Sequence, residues 1–137
     1  MGIFFIAVWW AALMYFDFRY RRLPNQLTLP GAAIINSWAL LHQPWWIGGG
    51  VAWAGLYLLT AVLCGGIGGG DIKFALGLGT LMVSLGIESL LMAIVGSSLI
   101  SVLLGGIILM CSRKKSPHSI PHGPSMIIAS TCVFVVF

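Results

Sequence analysis

Only three acidic residues stand among 137: Asp17, Asp71 and Glu88. Each borders an apolar run, where an ionised side chain costs about 2.5–3.5 kcal/mol on insertion scales and usually marks function. Asp17 and Asp71 are of the right type for one particular chemistry. Two carboxyls held a few ångströms apart do not both ionise easily, so such a pair keeps a shared proton. The ionised member takes a proton from water while the protonated member polarises a carbonyl, which amounts to general acid–base hydrolysis of an amide without a covalent intermediate. Two other readings use the same residues. They are interfacial carboxylates neutralised by Arg19, Arg21 or Lys73, or a cation or proton site in a non-enzymatic six-helix transporter subunit. A transporter more often buries its charge near the bilayer midplane, whereas both aspartates here fall at one edge. Glu88 reads as structural, its carboxylate suiting a helix N-terminus.

The remaining reactive residue types carry less. Cys64, Cys111 and Cys132 have no C-x-x-C spacing, so neither a zinc site nor a redox pair is indicated. Gly68-Gly69-Gly70-Asp71-Ile72-Lys73 is no phosphate loop, because no Gly-Lys-Ser/Thr follows. His118 and His122 read as loop residues.

The elements that must position the aspartates are dictated by composition. The chain is 59% hydrophobic and 7% charged, against about 25% charged residues in soluble domains, with a mean hydropathy of +1.02. That excludes a water-soluble enzyme, a nucleic-acid reader and a disordered tail. Six apolar runs, at 2–16, 28–42, 47–64, 72–86, 88–111 and 124–137, predict an all-α polytopic integral membrane protein of about six transmembrane helices, a single domain over 1–137. The first run has no basic stretch before it and no small-residue cleavage site after it, so it reads as a retained helix rather than a secretory signal. At about 1.5 Å per residue it is short for a span, so either the helix continues past Asp17 or the bilayer thins there.

Alternating the six runs places Arg19, Arg21, Arg22, Lys73, Arg113, Lys114 and Lys115 on one face and no basic residue on the other. Cytoplasmic loops collect Lys and Arg, so that face is expected to be cytoplasmic and the N-terminus outside. Trp45 and Trp46 then fall at the outer interfacial belt. Pro24, Thr28 and Pro30 read as a turn and the first turn of the second helix, and Pro117, Pro121 and Pro124 as an irregular loop before the last. The glycine clusters at 48–50 and 105–106 are expected to be helix-packing surfaces.

Three segments resemble the type IV prepilin peptidases. Asp17-Phe18-Arg19-Tyr20-Arg21-Arg22-Leu23-Pro24-Asn25-Gln26-Leu27-Thr28 is similar to that family's first active-site segment. Gly68-Gly69-Gly70-Asp71-Ile72-Lys73 looks like the second, the G-x-G-D motif of intramembrane aspartyl proteases. Pro121-His122-Gly123-Pro124 is similar to the proline–glycine–proline element before the last helix, with His122 where an aromatic residue is common. The resemblance implies a membrane endopeptidase that cleaves the leader of prepilins or prepilin-like proteins of pili and type II secretion. Cleavage would fall at the cytoplasmic face of the inner membrane, with Asp17 and Asp71 catalytic. It implies support from Gly68 and Gly70, which leave room where the backbone turns and meets substrate, from Pro24 and Asn25, which end the first helix, and from Lys73, which either acts on Asp71 or marks the membrane edge. The chain looks like the short form, without the cysteine-rich cytoplasmic segment. No metal, other cofactor or methyltransferase activity is expected, and the expected partners are a prepilin or pseudopilin substrate and the lipid bilayer, with no nucleic acid. A non-catalytic pilus-assembly factor is the alternative.

Overall fold

The structure, a computed structural model, describes residues 2–20, 23–65, 67–111 and 122–137. Arg21, Arg22, Arg113, Lys114, Lys115, Pro117, His118 and Pro121 lie outside them, and the sequence expectations for these residues rest on the sequence alone.

Six helices follow one another: α1 (Gly2–Tyr20), α2 (Asn25–His42), α3 (Ile47–Cys64), α4 (Gly69–Leu85), α5 (Ile87–Cys111) and α6 (Gly123–Val136). A 3₁₀ turn, Pro44–Trp46, leads into α3. No strand occurs among the described residues, so the all-α membrane class is as expected. Three stretches are long and apolar enough to cross a bilayer on composition: Gly2–Tyr20, Pro44–Cys64 and Ile87–Cys111. They present large apolar side chains outward, among them Phe4, Phe5, Val62, Leu63, Val102 and Met110, as surfaces in contact with lipid do.

Between the spans the chain needs sharp ends. Gly65 closes α3 at φ +72°, left-handed backbone that glycine adopts without a Cβ penalty. Two boundaries differ from the hydropathy reading. The first helix runs through Tyr20, so α1 extends past Asp17 and reaches about 28 Å at 1.5 Å per residue. The second begins at Asn25, which puts Pro30 inside the helix rather than in its first turn. Pro30 has no N–H to give the Gln26 carbonyl, but Gln26 is exposed at that point. The next carbonyl, that of Leu27, accepts the Trp9 indole N–H at 2.9 Å. An interior proline is therefore accommodated by solvent on one side and by α1 on the other.

Helix α4 is the bundle's centre, with Phe74, Ala75, Gly77, Leu78, Gly79, Thr80, Leu81, Met82 and Val83 buried in succession. Glycine makes this possible. A Cβ at Gly50 would strike the Leu76 carbonyl, one at Gly79 would come within 2.6 Å of the Gly49 carbonyl, and one at Gly77 within 2.9 Å of Ala32 Cα. Thus the cluster at 48–50 is a packing surface, carried by Gly49 and Gly50, while Gly48 faces open space. In the last cluster Gly105 is buried and Gly106 is open. Polar ties add register: Thr80 Oγ1 donates to Asn36 Oδ1 at 2.9 Å, linking α4 to α2. Trp9 meets Phe74 edge-on at 5.4 Å, bringing α1 against the same core. At the far end Trp45 is exposed, whereas Trp46 stacks on Trp38 at 5.1 Å, so only one of the two tryptophans is free for an interfacial role.

Candidate active site

Asp17 lies in the last turn of α1 on the face that carries Trp10 and Leu13, the other buried residues of that helix. Its neighbours Tyr15, Phe18 and Tyr20 are exposed, but Asp17 is 3% exposed. Its Oδ2 has no hydrogen-bond partner among the described residues, which is costly for a buried polar atom unless a function retains it. The Gly123 amide, at the start of α6, faces this carboxyl. The fit there is tight: a Cβ at Gly123 would stand 2.5 Å from Asp17 Oδ2 and 3.4 Å from Leu23 Cδ2.

Asp71 is the third residue of α4, half-buried. Gly68 caps the helix in extended conformation, and the Asp71 N–H donates to the Gly68 carbonyl at 3.1 Å. The Gly68 amide in turn faces the Asp71 carboxyl, as an N-cap amide does an acid three residues into a helix. An acidic group in a first helical turn also suits the positive end of the helix dipole.

The two carboxyls lie near enough for the charge of Asp17 to act on Asp71. Two contacts hold the segment that follows α1 against α4, and a cap fixes the start of α2. Leu23, 8% exposed, wedges between the starts of α4 and α6, and a Cβ at Gly70 would come within 2.9 Å of both Leu23 Cβ and its carbonyl oxygen. Lys73 Nζ donates to Asn25 Oδ1 at 3.0 Å, tying α4 to the start of α2. Pro24, extended at φ −68° and ψ 131°, caps α2 and accepts from the Leu27 and Thr28 amides.

The site residues expected from the sequence, Asp17, Pro24, Asn25, Gly68, Gly70, Asp71 and Lys73, therefore stand at one end of the bundle, in differing relations. Asp17 and Asp71 are brought together. Lys73 reaches Asn25. Gly70 makes room for Leu23, a neighbour within the chain. At Gly68 a Cβ would meet Asp71 Oδ2 at an ordinary 3.7 Å. Glu88 is exposed in the first turn of α5, as a structural acid would be.

Leu23, Ser101 and Ser125 were not anticipated. Ser101 Oγ lies 2.5 Å from Ser125 Oγ and 3.0 Å from His122 Nδ1, and Ser125 donates to the His122 carbonyl at 2.7 Å. This cluster pins the start of α6, and hence Gly123, against α5. Leu23 and Gly123 lay inside the quoted motifs; nothing in the sequence marks the serines apart from other small residues on apolar helices.

A bundle of apolar helices holding two interacting carboxyls at one end defines a membrane-embedded protein with an acidic centre. The model of the Type IV leader peptidase family matches residues 4–110, and the chain belongs to that family, whose members are proteases. The match includes both aspartates and stops short of α6, so the Gly123–Asp17 contact is a feature of this fold rather than of the match. Neither a curated protein nor a solved structure matches the chain.

Proposed function

We propose that this protease is a membrane aspartyl endopeptidase that removes the leader peptide of a prepilin or prepilin-like protein, with Asp17 and Asp71 as its catalytic pair. One observation carries the reading: a carboxyl only 3% exposed and a second carboxyl from a distant helix stand at the same end of the bundle, linked through Leu23, which lies against both Gly70 beside Asp71 and Gly123 beside Asp17. One aspartate takes a proton from water as the water oxygen bonds to the scissile carbonyl carbon. The other, protonated, donates to the carbonyl oxygen. The tetrahedral species then collapses, the C–N bond breaks and the departing nitrogen takes the proton, leaving an acid and an amine. The roles of the pair are those of a coupled unit rather than of either residue.

Gly70 leaves room for Leu23 beside Asp71 and Gly68 caps the helix that carries it, while Pro24, Asn25 and Lys73 hold the starts of α2 and α4 in register beside it. Arg19 and Lys73 lie at the same end as the pair, in the last turn of α1 and the start of α4. Basic residues favour the cytoplasmic side, which supports an inner-membrane protein cutting at its cytoplasmic face, where a basic leader gives way to an apolar helix.

The test is cleavage of a prepilin in membranes by the parent, Asp17→Asn and Asp71→Asn, with insertion checked in parallel. Each substitution is expected to reduce processing by at least about 10³-fold, as loss of a member of a catalytic unit does. Processing that survives in either variant removes that residue from the mechanism.

A further inference from the structure

A cavity of about 290 Å³ opens between α3 and α5. Leu56, Tyr57 and Thr60 line it from α3, Ser98, Ser101 and Val102 from α5, and Ile67 and His122 from the connections into α4 and α6. Two larger cavities, of about 460 and 510 Å³, lie beside α1 and are lined mainly by apolar side chains such as Phe5, Ile6 and Ile35. Those match the chemistry of lipid chains. The α3–α5 cavity presents a mostly apolar surface too, but most of its lining residues bear a hydroxyl or an imidazole that can exchange a hydrogen bond with an occupant. It also adjoins the acidic centre: Ile67 precedes the Gly68 cap of Asp71, and His122 precedes Gly123, which packs on the Asp17 carboxyl.

The hydroxyls have a particular bias. Thr60 donates to the Leu56 carbonyl at 2.8 Å and Ser98 to the Ile94 carbonyl at 2.9 Å. With their protons committed to their own helices, both offer lone pairs as acceptors. A peptide that must lie extended to be hydrolysed brings unpaired backbone N–H groups to the lipid boundary, where each is costly unless accepted. An acyl chain has no such groups. The volume is at the small end for a ligand pocket, so it admits a side chain and not a whole helix.

We infer that the α3–α5 groove is the lateral access and binding subsite for the substrate: the peptide beside the scissile bond lies extended across Tyr57, Thr60 and Ser98, with one apolar side chain in the cavity. This rests on the proposed leader-peptidase reading and adds the route by which substrate reaches Asp71. Val102 is 71% exposed at the groove's lipid-facing edge, and Val95, 66% exposed, lies two turns away on the same face of α5 outside the cavity.

The experiment pairs the two positions in full-length protein in membranes, with a prepilin as probe. Val102→Trp is expected to raise KM about tenfold with kcat little changed, the pattern for lost uniform binding, while Val95→Trp processes as the parent does. A photo-cross-linking residue at position 102 should capture the prepilin, and one at 95 should not. Capture at 102 supports the inference even if Val102→Trp proves unstable or if Asp17→Asn and Asp71→Asn leave cleavage intact; in the latter case the catalytic assignment fails while the docking site stands. Cross-links at 102 to lipid alone, or equal capture at both positions, overturn the groove as the substrate's path and leave the aspartate pair untouched.

Discussion

At the scale of single residues, the acidic centre is shaped by missing side chains as much as by carboxyls. Three glycines surround it, and the space around each differs. At Gly123 a Cβ would stand 2.5 Å from Asp17 Oδ2, so Gly123→Ala must push the carboxyl aside. At Gly70 it would meet Leu23 at 2.9 Å and shift the wedge between α4 and α6, while at Gly68 it would rest 3.7 Å from Asp71 Oδ2 in ordinary contact, on extended backbone that alanine also adopts. Displacement of a reacting group by about 1 Å can cost about 100-fold in rate. Gly123→Ala and Gly70→Ala are therefore expected to lose about that much kcat in prepilin cleavage, with a thermal midpoint in detergent near the parent's for Gly123→Ala and below it for Gly70→Ala, whose Cβ meets backbone, and Gly68→Ala is expected to stay near the parent rate. A large loss at Gly68→Ala would mean that substrate backbone presses on that Cα, the role the motif alone assigns. The two aspartates were legible because charge is so scarce in this chain that each acid demands a reason. The notch that receives Asp17 was not, since a glycine reveals its purpose only when its neighbours across the fold are known.

Helices set these distances, and the α5–α6 pair shows how. His122 sits half-buried before α6, its Nδ1 on Ser101 and its ring 6.4 Å from that of Tyr57. Burial pushes its pKa below the ordinary 6.5. The unfolded chain then binds a proton near pH 6.5 that the folded chain refuses, so stability is highest above that pH and falls as pH drops toward the folded value. The expected outcome is a thermal midpoint in detergent that falls between about pH 7 and pH 5, with a shallower fall in His122→Gln, which keeps a polar partner for Ser101 without titrating. Identical slopes would show that His122 takes no part in holding α6. Hydropathy located all six helices to within a few residues, because long apolar runs at membrane length leave few alternatives. It misread Pro30 by placing the start of α2 at Thr28, for the partner that accommodates an interior proline, the Trp9 indole, comes from another helix. The serines of the α5–α6 clamp escaped for the same reason: a small hydroxyl on an apolar helix has no one-dimensional signature of a partner.

Across the whole molecule, the alternation of six helices decides which groups share a face. Asp17, Leu23, Asn25, Asp71, Lys73 and Gly123 meet at one end through contacts that no single helix could supply, while Gln43, Trp45 and Glu88 belong to turns at the opposite helix ends. Arg19 and Lys73, the basic residues among those described, stand at the aspartate end, and the proposed cytoplasmic side of that end rests on the tendency of Lys and Arg to accumulate in cytoplasmic loops. The orientation can be read with exposed positions at the two ends of α2: Gln26, beside the acidic centre, and Gln43, beyond the far end. In a background with Cys64, Cys111 and Cys132 changed to serine, Gln43→Cys in intact cells should react with a membrane-impermeant maleimide, and Gln26→Cys should react only after the membrane is opened. The reverse pattern would set the carboxyl pair on the outer face, away from any leader that has not crossed the bilayer. Labelling of both from outside would mean that α2 does not cross, and the pairing of helix ends that unites the two aspartates would then need a different path for the chain.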